Sequence, residues 1–178
     1  TTQLIEQDLD MVETEIGYEL SRNHTRAIEA DQNYYPQIEL DIRAEAARMA
    51  PHYEIFYSLE KTIRRLIVDT LQAAEGPNWW NSNRVPTNLM NVAEERQKKE
   101  IDSGVTPRSQ EPIDFLTFGE LGEVIKQNWD LFGAIFSSIK AVDRVMFGLN
   151  ILRAPIAHCS PLADDEVVRL RLTVRDWF

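Results

Sequence analysis

Between Leu121 and Leu149 the apolar residues Leu121, Val124, Ile125, Trp129, Phe132, Ile135, Phe136, Ile139, Val142, Met146 and Leu149 fall at steps of mostly three and four. That beat lays a continuous stripe along one face of a helix, and no strand can present it. Thr117 and Glu120 open the stretch as a capping box, in which each side chain satisfies an orphan backbone donor of the other. Gly133 and Gly148 each weaken a helix by about 1 kcal/mol relative to alanine, so a bend or break is expected inside the stretch.

The same period recurs elsewhere. Phe56, Leu59, Ile63, Leu66, Ile67, Thr70 and Leu71 predict a helix from Tyr53 to Ala74, with Pro51 at its start and Gly76-Pro77 ending it. Val167, Leu170, Val174 and Trp177 predict a last helix from Asp164 to Trp177, with Asp164, Asp165 and Glu166 in the first turn, where the helix dipole favours negative charge. Ile38 to Met49 reads as a further amphipathic helix, as do the first 24 residues through Leu4, Ile5, Leu9, Val12, Ile16 and Leu20. Between Gly76 and Pro112 the chain reads as irregular, with one short charged helix near Val92 to Ile101. No β-alternation is sustained over five residues, so the fold class is all-α. The 178-residue length suits one domain, here residues 51–178, with residues 1–50 a helical extension that packs on it.

Composition narrows the function. One cysteine, Cys159, rules out an internal disulfide framework and fits a reducing, cytoplasmic setting. With three histidines and no zinc-ligand spacing, neither a metal nor any other cofactor is expected. No apolar run is long enough to span a membrane, and no secretory pattern opens the chain. Thr1 in place of methionine suggests a removed tag or a domain cut from a longer protein. The net charge of -10 argues against a globally basic nucleic-acid surface, so any RNA contact must come from a local patch.

The residues from Arg153 to His158 carry the most chemistry. Arginine stays protonated and offers a planar fork suited to phosphate. Histidine titrates near neutrality and can exchange the proton of a ribose 2′-hydroxyl or a leaving 5′-oxygen. Pro155 is expected to open a new helix, leaving Arg153 at a junction and His158 in the next opening turns. With 14 arginines and three histidines in the chain, the spacing alone is not specific. The plain alternative is an arginine capping a helix and a half-buried histidine bonded to a carbonyl.

Other constellations have plainer readings. Glu60 and Arg64 stand at salt-bridge spacing on one helix, and Lys61, Arg64 and Arg65 form a basic cluster that is either a cleft lining or a solvated face. Trp79 and Trp80 fit loop anchors better than base-stacking platforms. Cys159 next to His158 does not form a nucleophile–base pair, because adjacent helical residues point about 100° apart. The acidic triplet fits helix capping better than a divalent ion, and Lys98-Lys99 after Glu94-Glu95 reads as a charged helix face.

Four stretches, taken together and in order, resemble the HEPN superfamily and its Swt-type branch. They are the helix from Tyr53 with Glu60 and Arg64 as an E-x-x-x-R pattern, and Trp79-Trp80 followed by Val85-Pro86. The third is the run from Leu116 through Thr117, Phe118, Gly119, Glu120 and Leu121 to Asn128-Trp129 and Phe132. The last is the Arg153-x-Pro155-x-Ala157-His158 box before an acidic-started helix. They span Tyr53 to Phe178. The resemblance implies a helical bundle that dimerises, bringing two Arg–His boxes into one cleft. It implies His158 as acid/base, Arg153 as phosphate clamp, and Arg64 and Glu60 as supporting residues; Lys61, in the basic cluster beside them, is a further substrate-side candidate alongside Arg64 and Glu60. Ala154 departs from the pattern, since many active members place a polar residue directly after the arginine.

Two functions follow. The first is a metal-independent endoribonuclease acting as a homodimer on RNA, a defence or toxin effector or an RNA-processing module, with a cognate antitoxin or a fused effector domain as partner. The second is a catalytically silent dimerisation or sensing module of a larger protein, favoured by Ala154 and the acidic charge. A nucleotide-binding partner of a nucleotidyltransferase lacks a glycine-rich phosphate loop to support it.

Overall fold

The computed structural model describes residues 37–178. The helix expected in the first 24 residues lies outside them. Among the described residues there are six α-helices and two short 3-10 turns, with no strand. The helices are α1 (Leu40–Glu75), α2 (Thr87–Asp102), α3 (Phe118–Gln127), α4 (Trp129–Phe132), α5 (Ile139–Ala157) and α6 (Asp164–Trp177). The chain divides into two units at Pro51, and the core and the candidate site lie in the second, Pro51–Phe178.

The apolar stripes build the core as their period dictates. Phe56, Leu59, Ile63, Ile67 and Leu71 of α1 are buried with Leu121, Val124 and Ile125 of α3, Val142, Met146 and Leu149 of α5, and Leu170 of α6. Helix α3 packs on α5, and α5 on α6. A Cβ added at Gly122 would lie 3.6 Å from Met146, and one at Gly148 would lie 3.6 Å from Thr173, ordinary contact distances that the packing would accept. Gly148 sits inside an unbroken α5, without the bend expected of it.

The expected break comes earlier. Asn128 ends α3 and is fully buried; its Nδ2 donates at 2.8 Å to both the Arg84 and Val124 carbonyls. Helix α4 lasts one turn to Gly133, and Ser138 caps α5 by accepting from the Ala141 amide. This interruption resets the helical phase, so Ile135 and Ile139, which the uninterrupted stripe would bury, are exposed. The capping box forms as expected. Glu120 accepts from the Thr117 amide at 2.6 Å, and Thr117 Oγ1 accepts from the Glu120 amide at 3.4 Å. Arg96 of α2 forks onto the same carboxylate at 2.6 and 3.0 Å, which holds the Glu120 carboxyl below its ordinary range.

Two prolines behave differently from expectation. Pro51 lies within α1 rather than at a helix start. It leaves the Ala47 carbonyl without its helical donor, but the flanking Arg48 and Ala50 are exposed, so water can take that bond. Pro155 lies in the last turn of α5 and opens nothing. Its missing N–H costs one bond near a helix end that is already closing. The charged helix is longer than expected, starting at Thr87 directly after Pro86. Trp79 is buried and Trp80 half-buried, edge-to-face at 5.5 Å, as loop anchors would be.

Candidate functional site

Because α5 continues through Pro155, Arg153 and His158 belong to one helix end rather than to two helices meeting at a junction. His158 is the C-cap residue. The chain closes there in a Schellman motif: the Ser160 amide donates to the Pro155 carbonyl at 2.8 Å, and the Cys159 amide to Ile156 at 3.4 Å. Cys159 takes the left-handed position at φ 55°, where glycine is usual. The turn leaves the His158 side chain exposed at the end of the helix. Cys159 is free and exposed beside it.

Arg153 is built in from the other side. Its Nε donates to Glu60 Oε2 of α1 at 3.2 Å. Glu60 Oε1 in turn accepts from Arg64 Nη2 at 2.5 Å. Arg64 is only 8 % exposed, and it also donates to the Leu116 carbonyl at 2.7 Å and to the Ile113 carbonyl. A weaker approach to Asp114 at 3.9 Å completes its surroundings. Arg64 thus fastens the loop before α3 onto α1 and fixes Glu60, and Glu60 fixes Arg153. The Nη1 and Nη2 groups of Arg153 make no hydrogen bond among the described residues, and the side chain is partly open to solvent. A guanidinium gripped at Nε and open at both terminal nitrogens presents the fork that binds two phosphate oxygens.

The structure therefore joins Arg153, Glu60 and Arg64 in one chain of contacts. Lys61 is not part of it, being exposed on a different side of α1. His158 also stands apart from it. Residues five apart on a helix are separated by about 7.5 Å of rise and roughly 140° of rotation, so Arg153 and His158 diverge within one copy.

One feature escaped the sequence reading. Phe147 is 67 % exposed and Ile151 54 % exposed, and Ala154 and His158 are exposed as well. Their spacing of four, three and four places them within about 60° of one another, opposite the buried Leu149. On α6, Val168 and Leu172 likewise lie opposite buried Leu170 and are exposed. Each of α5 and α6 thus carries exposed apolar residues on its solvent side, and the row on α5 ends at His158. The signal was present in the sequence as Phe147, Ile151 and Ala154 at steps of four and three. It was hidden because it lies out of phase with the longer, buried stripe.

Among the described residues no group of three or more histidine, cysteine, aspartate or glutamate side chains is placed to hold a metal ion. No helix among them is long and apolar enough to cross a membrane. No curated protein and no solved structure matches the chain. The family model described as Swt1-like HEPN matches residues 54–178, about 70 % of the 178-residue sequence. That match covers the Glu60 and Arg64 turns of α1, the capped α3, the Arg153 end of α5, its His158 cap and the whole of α6, and the chain belongs to the Swt1-like HEPN family.

Proposed function

We propose that the domain is a metal-independent endoribonuclease of the HEPN type, acting as a homodimer whose site is shared between two copies. The observation that carries this reading is the exposed apolar face on α5, Phe147, Ile151 and Ala154, running into His158. Pairing that face about a twofold axis covers the apolar surface and brings two His158 side chains together. Each Arg153, held by its own Glu60 and turned about 140° around α5 from its own His158, then has to reach the phosphate from the rim of that contact. Ala154, where many active relatives place a polar residue, becomes part of the contact rather than a lost catalytic group.

In the proposed reaction, His158 of one copy takes the proton of a ribose 2′-hydroxyl as its oxygen attacks the adjacent phosphorus. The P–O5′ bond breaks, and the other His158 protonates the leaving 5′-oxygen. The products are a 2′,3′-cyclic phosphate and a 5′-hydroxyl, with no net consumption of protons. The Nη groups of Arg153 hold the negative charge that builds on the equatorial oxygens, the largest contribution expected from such a site. Arg64 and Glu60 act as positioning residues behind it. Lys61, exposed on α1, serves an RNA phosphate further along the strand. A role in defence, in a toxin–antitoxin pair or in RNA processing fits this chemistry equally.

The test is incubation of the purified chain with total RNA in EDTA, after its oligomeric mass has been measured. A dimer that yields cyclic-phosphate ends, with Arg153→Ala inert, supports the reading. A dimer that leaves RNA intact supports the silent dimerisation module instead.

A further inference from the structure

Tyr53 and Tyr57 stand one turn apart on α1 with 60 % and 57 % of their surfaces exposed. Their ring centroids are 6.1 Å apart and their planes inclined by 33°. Lys61 follows one turn later and Arg65 another, both exposed. The four make a ladder of two aromatics and two cations at steps of four. By helical rotation, Tyr53 and Tyr57 fall within about 60° of Glu60, the residue that receives Arg153, while Lys61 and Arg65 turn progressively away, to about 100° and 140° from it. From Tyr53 to Glu60 the helix rises about 10 Å.

We infer that Tyr53 and Tyr57 form a base-stacking platform for single-stranded RNA, which Lys61 and Arg65 extend as phosphate contacts, beside the Arg153 clamp. The choice of RNA as the occupant rests on the ribonuclease reading above. Large exposed rings carry a standing cost in water, and stacking on a base relieves it without demanding a particular sequence. Aliphatic anchors, the usual mark of a protein-docking helix face, are missing from this ladder. The two cations answer the phosphates that the overall charge of -10 would otherwise repel. Arg65 approaches Asp69 at 3.7 Å, but both side chains are largely in water, so that pairing is weak and a phosphate can replace it. A duplex keeps its bases stacked on one another and has no free face to offer two rings.

The experiment uses the whole chain and a 5′-fluorescein-labelled 12-nucleotide uridine strand with 2′-O-methyl sugars, which blocks attack by the 2′-oxygen and separates binding from cleavage. Fluorescence anisotropy should show binding that weakens about tenfold or more in Tyr53→Ala/Tyr57→Ala. The Tyr53→Phe/Tyr57→Phe protein, which keeps the rings, should stay within about twofold of the parent. Lys61→Ala/Arg65→Ala should flatten the salt dependence by roughly 0.7 in log–log slope per cation removed. Absence of binding by the parent chain, unchanged binding by the alanine pair, equal loss in the phenylalanine pair, or equal competition by a duplex would each overturn the platform. The two readings fail separately. Tyrosine-dependent binding with no cleavage of unmodified RNA keeps the platform and removes the nuclease. Cleavage with unchanged KM in the alanine pair does the reverse.

Discussion

Arg153 of α5 donates its Nε to Glu60 of α1 across 3.2 Å and 93 positions of chain, so the arginine proposed as the phosphate clamp is oriented by a helix distant in sequence. Glu60 can do this only because Arg64, itself buried, holds its other oxygen. Glu60→Ala should therefore act on both stability and rate. The buried Arg64 charge loses its nearest partner, at a cost of about 2–3 kcal/mol, or roughly 5–10 °C in Tm for a chain of this size. Arg153 becomes free to swing, and kcat should fall about 10- to 100-fold with a smaller change in KM. Thermal melts and steady-state cleavage, measured below the new Tm, check both. An unchanged kcat would mean that Arg153 needs no positioning.

Phe147→Glu should split the proposed dimer. The side chain is two-thirds exposed in one copy, so the monomer should keep its stability within about 0.5 kcal/mol. A charge placed against its own symmetry mate opposes association. Analytical ultracentrifugation should show a monomer, and RNA cleavage should be lost with it. A variant that stays dimeric would move the interface away from α5.

His52 and the carboxylates Glu120 and Glu100 make stability sensitive to acid in separate ranges. His52 has its pKa lowered by burial and by nearby Arg171, so its neutral form is the one the fold prefers. Its contribution is complete above the unfolded value near 6.5 and is lost as the pH falls below it. Glu120 has its pKa lowered, chiefly by the bond from Arg96. Its contribution is complete above the unfolded value near 4.5 and is lost as the pH falls through the depressed folded value. Tm measured from pH 7 to pH 3 should decline in two steps. His52→Asn should remove the upper step and Glu120→Gln should shrink the lower, to which Glu100, lowered by its bond from Arg108, also contributes; a single step unaltered by either variant would contradict the assignment.

Cys159→Gly should stabilise the protein. The residue holds the left-handed position of the Schellman motif and its side chain is exposed, so glycine relieves strain and gives up no packing. About 1 kcal/mol is expected, or roughly 2–4 °C in Tm. A lower Tm would show that the thiol makes a contact worth more than the strain.

Much of the fold could be read from local pattern. The capping box at Thr117 and Glu120, the bounds of α6, and the core faces of α1 and α3 all follow from spacing within one helix. The prolines were misread because spacing says nothing of what compensates them: at Pro155 a helix already ending, at Pro51 a carbonyl open to water. At the site, Glu60 and Arg64 were visible as a four-residue pair. The tie from Glu60 to Arg153 was not, since it depends on how α5 lies on α1. The exposed face of Phe147 and Ile151 went unnoticed for a related reason, because phase on a helix shows burial only once the neighbouring elements are in place.

His158→Ala tests the central claim most directly. The imidazole is exposed at the end of α5 and makes no hydrogen bond among the described residues, so its loss should leave Tm and dimer mass unchanged. Cleavage of RNA in EDTA should fall by about 10²- to 10⁴-fold. Cleavage at the parent rate by a folded, dimeric His158→Ala protein would contradict the account.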